Sequence, residues 1–153
     1  MYIRTSGKPS KISISLCKKA ARFYAEILLG SRLSKSINLL LEFKELDSKS
    51  NFIGFCSWED INVSPKEFTI TLSKKLGKRH TLLALAHEMV HVKQYAKNEL
   101  KDYLSESNKV RWRGEKFDAN EVDYWDQPWE IEAYGRELGL YARFKKNLKD
   151  ECV

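Results

Sequence analysis

The residues of this chain whose types and spacing can do chemistry are His87-Glu88-Met89-Val90-His91, two histidines four positions apart with a glutamate beside the first. On a helix such histidines lie about 40° apart around the axis and roughly 6 Å apart along it, so both rings can reach one metal ion. Glu88 then points beside the metal, where it can take a proton from bound water. Tetrahedral nitrogen and oxygen ligation predicts zinc, one ion per chain. His80, the only other histidine, sits two turns earlier and reads as a surface or capping residue. Cys17, Cys56 and Cys152 are scattered and never form a C-x-x-C pair, which argues against a cysteine-built metal site or a disulfide scaffold.

The surrounding pattern favours a metal over two structural histidines. In a helix expected over residues 78–98, Leu82, Leu83, Leu85, Ala86, Met89, Val90, Val92 and Ala96 cover one broad arc. Only Lys93 and Lys97 interrupt it, and His87, Glu88 and His91 share the remaining stripe with Ala84, Gln94 and Tyr95. With no histidine downstream, the third protein ligand is expected to be a carboxylate. A last helix is expected from Pro128 to about Leu148, with Asp126 as N-cap. There Glu130 and Glu137 fall at the centre of the apolar arc, and Glu132 falls opposite, beside Arg136. A carboxylate in a core is costly unless it is paired or binds metal. Glu130 is therefore expected as the zinc ligand and Glu137 as the carboxylate that orients a ligand histidine through its Nδ1–H. Glu132 is expected as a solvated partner of Arg136.

These residues need a scaffold, and the rest of the chain supplies one. Ser15 to Leu29 carries a helical stripe that stops at Gly30. Ile37 to Lys44 alternates as a strand, Phe52 to Trp58 is a second extended run, and Phe68 to Ser73 alternates as a third. Turns are expected at Asp47 to Asn51 and at Asn62 to Lys66. About thirty irregular, Trp-bearing residues separate the two site helices. The order α-β-β-β-α-loop-α predicts an α+β fold with a short, three-stranded, largely antiparallel sheet.

Composition bounds the class. At 153 residues, with 42% hydrophobic and 12% aromatic residues, one domain spanning 1–153 with one core is expected. The mean hydropathy of −0.51 and a longest apolar run of only Leu82 to Ala86 argue against a membrane span. With no apolar leader near the N-terminus, a cytoplasmic setting is expected. The net charge of +6 is uneven: +6 over residues 1–50, +2 over 51–100 and −2 over 101–153. The basic first third is compatible with nucleic-acid contact, but a solvated lysine-rich surface is the favoured account, because no run of clustered Arg with interleaved aromatics stands out.

The His pair, Glu88 and the element Glu130-Ile131-Glu132-Ala133 resemble gluzincin-type zinc metallopeptidases, in which H-E-x-x-H is completed by a Glu in a later helix, often within E-x-x-A. The wider pattern, HEMVHVKQY followed by PWEIEA, resembles SprT-like and phage-encoded metallopeptidases over about residues 36 to 144. The resemblance implies a minimal zincin-like core, with substrate paired to an edge strand, here Phe68 to Ser73. It departs from SprT-like proteases in lacking their third histidine, and from several gluzincins in having Tyr134 where they carry Asp.

The expected activity is zinc-dependent hydrolysis of a peptide bond in a protein or peptide substrate, with Glu88 as general base on a zinc-bound water. Tyr134, one turn after Glu130, is the expected oxyanion donor, with Tyr95 and Tyr124 behind it and plain core packing as the competing role. Trp112, Trp125 and Trp129 are expected either to line a cleft or to anchor the long loop. The rival from another class is a zinc-stabilised module that binds nucleic acid or a protein without hydrolysis, for which Glu88 would be unnecessary.

Overall fold

The computed structural model describes residues 1–46, 53–103 and 108–150. Along the chain run β1 (Tyr2–Ser6), α1 (Ile14–Lys35), β2 (Asn38–Lys44), β3 (Gly54–Trp58), β4 (Glu67–Ser73) and α2 (Lys78–Ala96). Then come β5 (Leu100–Asp102), β6 (Lys109–Trp112), β7 (Glu115–Asp118), a 3-10 turn (Tyr124–Asp126) and α3 (Pro128–Asp150). The fold is α+β, with three helices, a four-stranded mixed sheet and a small antiparallel sheet of three strands among the described residues. The expected turn at Asp47 to Asn51 lies outside the described residues, as does Cys152.

The main sheet corrects the expectation of three largely antiparallel strands. Its order is β1-β2-β4-β3, and both β1–β2 and β2–β4 are parallel, leaving only β3–β4 antiparallel. Parallel neighbours need a long crossover, and α1 provides the one between β1 and β2. The extra strand left a faint signal, because of its five residues only Ile3 is buried. Inserting β4 between β2 and β3 also moves the free edge. Phe68 to Ser73 is an interior strand, paired on both sides, and the edge beside the site helix belongs to β3.

The core forms where the helices cover one sheet face. Leu39, Leu41, Phe68, Ile70 and Leu72 from the sheet, with Ile37 just before β2, meet Ala21, Tyr24, Leu85, Met89, Ala133 and Phe144 from the helices. Tyr24, Phe23 and Phe144 pack edge-on or tilted at 5.5–6.1 Å, tying α1 to α3. Ser13 caps α1 by accepting from the Leu16 amide. Gly30 does not end that helix. It takes φ 76°, ψ 165°, kinks the chain, and helix resumes to Lys35. Glycine permits this break at little steric cost.

The Trp-bearing segment is not irregular throughout. Strands β5, β6 and β7 form an antiparallel meander, and Leu100, Trp112 and Trp129 build a second, smaller core beneath it. Asp126 closes the 3-10 turn, so it is not the cap of α3; the carbonyl of Gln127 accepts from Glu130 and Ile131 at the helix start. No helix among the described residues is long and apolar enough to cross a membrane.

Candidate metal centre

Helix α2 is buried along most of its length, including His87, Glu88, His91, Lys93 and Gln94. It packs against the first turns of α3, which bring Glu130 to the two histidines. The ligand-capable atoms of His87, His91 and Glu130 lie within 4.8 Å of one another, and the three residues form a buried group able to hold a metal ion. Glu130 Oε2 is 3.2 Å from His87 Nε2, Glu130 Oε1 is 3.4 Å from His91 Nε2, and the two Nε2 atoms are 3.2 Å apart.

The outer bonds of the two rings decide what the inner atoms can do. His87 Nδ1 lies 3.0 Å from Glu137 Oε2, and a carboxylate only accepts, so this nitrogen donates. His91 Nδ1 lies 2.8 Å from Gln94 Oε1. The Gln94 amide is oriented by its other end, where Nε2 donates to the Trp129 carbonyl at 2.9 Å and to Glu132 Oε2 at 3.0 Å. Its oxygen therefore faces His91, whose Nδ1 also donates. In the neutral rings both Nε2 atoms then carry lone pairs, directed at each other and at a carboxylate. Such a cluster can hold a metal ion, which imidazole nitrogens and a carboxylate oxygen are able to ligate.

The same carboxylates also favour a proton on an imidazole, which a metal ion would have to displace. Burial disfavours charge on His87, but its contacts with Glu130 and Glu137 outweigh that and raise its pKa to about 9. Burial likewise pushes the Glu130 carboxyl up, and the hydrogen bonds with His87 and His91 more than reverse it, holding Glu130 well below the usual carboxylate range. Glu88 behaves differently. Desolvation raises its pKa, and its Oε2 is buried without a hydrogen-bond partner among the described residues. A Cβ built on Gly54, on the facing edge strand, would sit 3.4 Å from Glu88 Oε1 and 2.6 Å from Leu72 Cδ2. The missing side chain at 54 keeps the space beside Glu88 open.

Two concavities meet at this group. A cleft of about 180 Å³ is lined by His87, Glu88, His91 and Glu130 together with Gly54, Tyr95 and Asp102. A groove of about 470 Å³ runs past His87, Glu88, Tyr134 and Glu137. His80 is exposed and lines the far part of that groove, away from the His-His-Glu group. The tyrosines divide. Tyr134 packs its ring edge-on to His87 at 4.5 Å and is 40% exposed, whereas Tyr124 donates its hydroxyl to Glu130 Oε2 at 2.7 Å. Tyr95 donates to Asp102 at 3.0 Å. Of the tryptophans, Trp112 and Trp129 anchor the small core, and Trp125 stands exposed against Tyr134.

Glu132 departs from its expected place on a solvated face. Its side chain is 12% exposed and accepts from Lys93 Nζ at 2.7 Å, Gln94 and Arg136. Lys93 is itself buried, held between Glu132 and Glu99 at 2.5 Å. The signal for this network was present in the sequence as a lysine on an otherwise apolar arc, since a buried ammonium requires a carboxylate partner.

Compared with known proteins, the chain matches no family model, no curated protein and no solved structure.

Proposed function

We propose that this chain is a zinc-dependent peptide hydrolase of the gluzincin type, with His87, His91 and Glu130 as ligands and Glu88 as general base. The observation that carries the reading is the pairing of a buried His-His-Glu group with a buried Glu88 oxygen that has no hydrogen-bond partner among the described residues, on the same cleft. Zinc held there would supply Lewis acidity, lowering the pKa of water and polarising a carbonyl.

The chain's own residues supply the rest. Glu88, its pKa lifted by desolvation, takes a proton from the attacking water and returns it to the leaving amine; such acid–base assistance contributes about 10²- to 10⁴-fold. Glu137 and Gln94 hold the two rings so that Nε2 faces inward. The free edge of β3 offers backbone groups to an extended peptide, and Gly54 on that edge leaves Glu88 room to act. Tyr134 remains the proposed oxyanion donor, and the hydroxyl of Tyr124, already at the ligand Glu130, is the second.

A closed structural zinc site would have a fourth protein ligand. Among the described residues the group has three members, which favours hydrolysis over a zinc-stabilised binding module. Digestion of an unbiased peptide library by zinc-loaded protein tests the reading, with Glu88→Gln as control. Cleavage that disappears in the control is expected; a wild-type protein that cleaves nothing would favour the binding module.

A further inference from the structure

Asp102, the last residue of β5, lines the same cleft as His87, Glu88, His91 and Glu130. Its Oδ2 accepts from Trp58 Nε1 at 3.2 Å and from the Tyr95 hydroxyl at 3.0 Å. Two rigid aromatic donors fix the carboxylate, and no described residue donates to its Oδ1 or forms an ion pair with it. Among the described residues the cleft is lined by no lysine or arginine, and its charged groups besides the histidines are Glu88, Glu130 and Asp102. Lys101, the nearest cation in sequence, lines an adjoining cavity of about 130 Å³ that shares Tyr95, Leu100 and Asp102. Glu88 and Glu130 together offset a dication at the His-His-Glu group. Asp102 is the negative charge left over.

We propose that Asp102 is a specificity-determining residue that selects a basic side chain, lysine or arginine, in a peptide bound beside the metal group. The proposal rests on the peptidase reading for the identity of the substrate. Cys56, Leu100, Val110 and the Tyr95 ring give the cleft apolar walls, which suit the methylene stem of a long cationic side chain. The preset carboxylate suits its head, because charge-assisted hydrogen bonds are about twice as strong as neutral ones. A purely structural role for Asp102, holding Trp58 and Tyr95 in place, needs only an acceptor. Asp102→Asn keeps that acceptor and removes the charge, so it separates the two roles.

The test is equilibrium binding of pooled hexapeptides to zinc-loaded Glu88→Gln protein, with one position fixed in turn as arginine, citrulline or glutamate. Arginine is expected to bind at least ~10-fold more tightly than its uncharged isostere citrulline at one position, about 1.4 kcal/mol. Adding Asp102→Asn should erase the difference at an unchanged melting temperature, and Asp102→Lys should turn the preference toward glutamate. Equal binding of arginine and citrulline, or no peptide binding, overturns the proposal, and so does an arginine preference that survives Asp102→Asn. The arginine–citrulline comparison needs no change at Asp102, so it decides even where a variant fails to fold. Arginine-selective binding by a protein that, with Glu88 intact, cleaves none of the pools would overturn hydrolysis and leave the subsite standing.

Discussion

Gln94 holds His91 from behind: its Oε1 sits 2.8 Å from His91 Nδ1 while its amide nitrogen is committed to the Trp129 carbonyl and to Glu132. One side chain thus fixes a ring orientation on α2 and ties it to the start of α3, the helix that carries Glu130.

That relationship predicts the effect of Gln94→Leu. The variant keeps the three ligands but frees the His91 ring, and outer-shell changes of this kind cost about 10- to 100-fold in metal affinity or activity. A zinc titration against a competing chelator measures it. Unchanged affinity would mean that packing alone orients the ring.

The ligand and the base should separate cleanly. Glu130→Gln is expected to weaken zinc binding in the same titration, since two histidines are left to hold the ion. Glu88→Gln should keep one zinc per chain and lose at least ~10²-fold in turnover. Metal analysis beside peptide hydrolysis reads both, and loss of zinc from Glu88→Gln would refute its assignment as base.

Glu132→Gln should act on stability first. Removing its charge leaves the buried Lys93 with Glu99 as its remaining carboxylate, at an expected cost of about 1–3 kcal/mol. Urea unfolding measures this, and adding Lys93→Met should recover part of the loss because the two residues are coupled. A loss under ~0.5 kcal/mol would place the pair among ordinary surface bridges.

Gly54→Ala would bring a methyl group against Leu72 and close to Glu88 Oε1. Turnover is expected to fall about 10- to 100-fold, because small displacements of a reacting group are costly. Zinc affinity should be unchanged. Equal loss of both would point to a distorted α2 instead.

Cys17 gives a pH dependence remote from the metal group. The thiol is fully buried on α1, and burial raises its pKa from 9.0 to about 11. A group whose folded pKa is raised stabilises the fold below its unfolded value and loses that contribution as pH climbs through the folded one. Stability should therefore fall between about pH 9 and 11, by on the order of 2–3 kcal/mol from this residue. In Cys17→Ala the decline should be shallower when unfolding is followed across that range. Iodoacetamide labelling at pH 8, mapped by peptide mass, should leave Cys17 unmodified in the native protein.

Helix periodicity made much of the site legible in the linear chain. A four-residue spacing places His87 and His91 on one stripe whatever surrounds the helix, and two residues of separation turn Glu130 and Glu132 to different faces. The local patterns also placed α2, α3 and the strands β2 to β4, because each buries a face whose period is its own. Which strand lies beside which is a different kind of information. Parallel pairing of β1 with β2 and of β2 with β4 depends on contacts between residues far apart in sequence, and β1 buries a single apolar side chain with which to announce itself. The free edge could therefore be located only in three dimensions, where it moved from β4 to β3. The same holds for Glu132. Periodicity said that it does not face the histidines, but only the packing of α3 on α2 decided that it meets Lys93 and Gln94 rather than water. Asp102 lines the cleft from a strand with no recognisable motif, and Tyr124, a candidate from the sequence as an oxyanion donor, bonds the ligand Glu130 instead; burial of polar groups against distant partners leaves no period in a sequence.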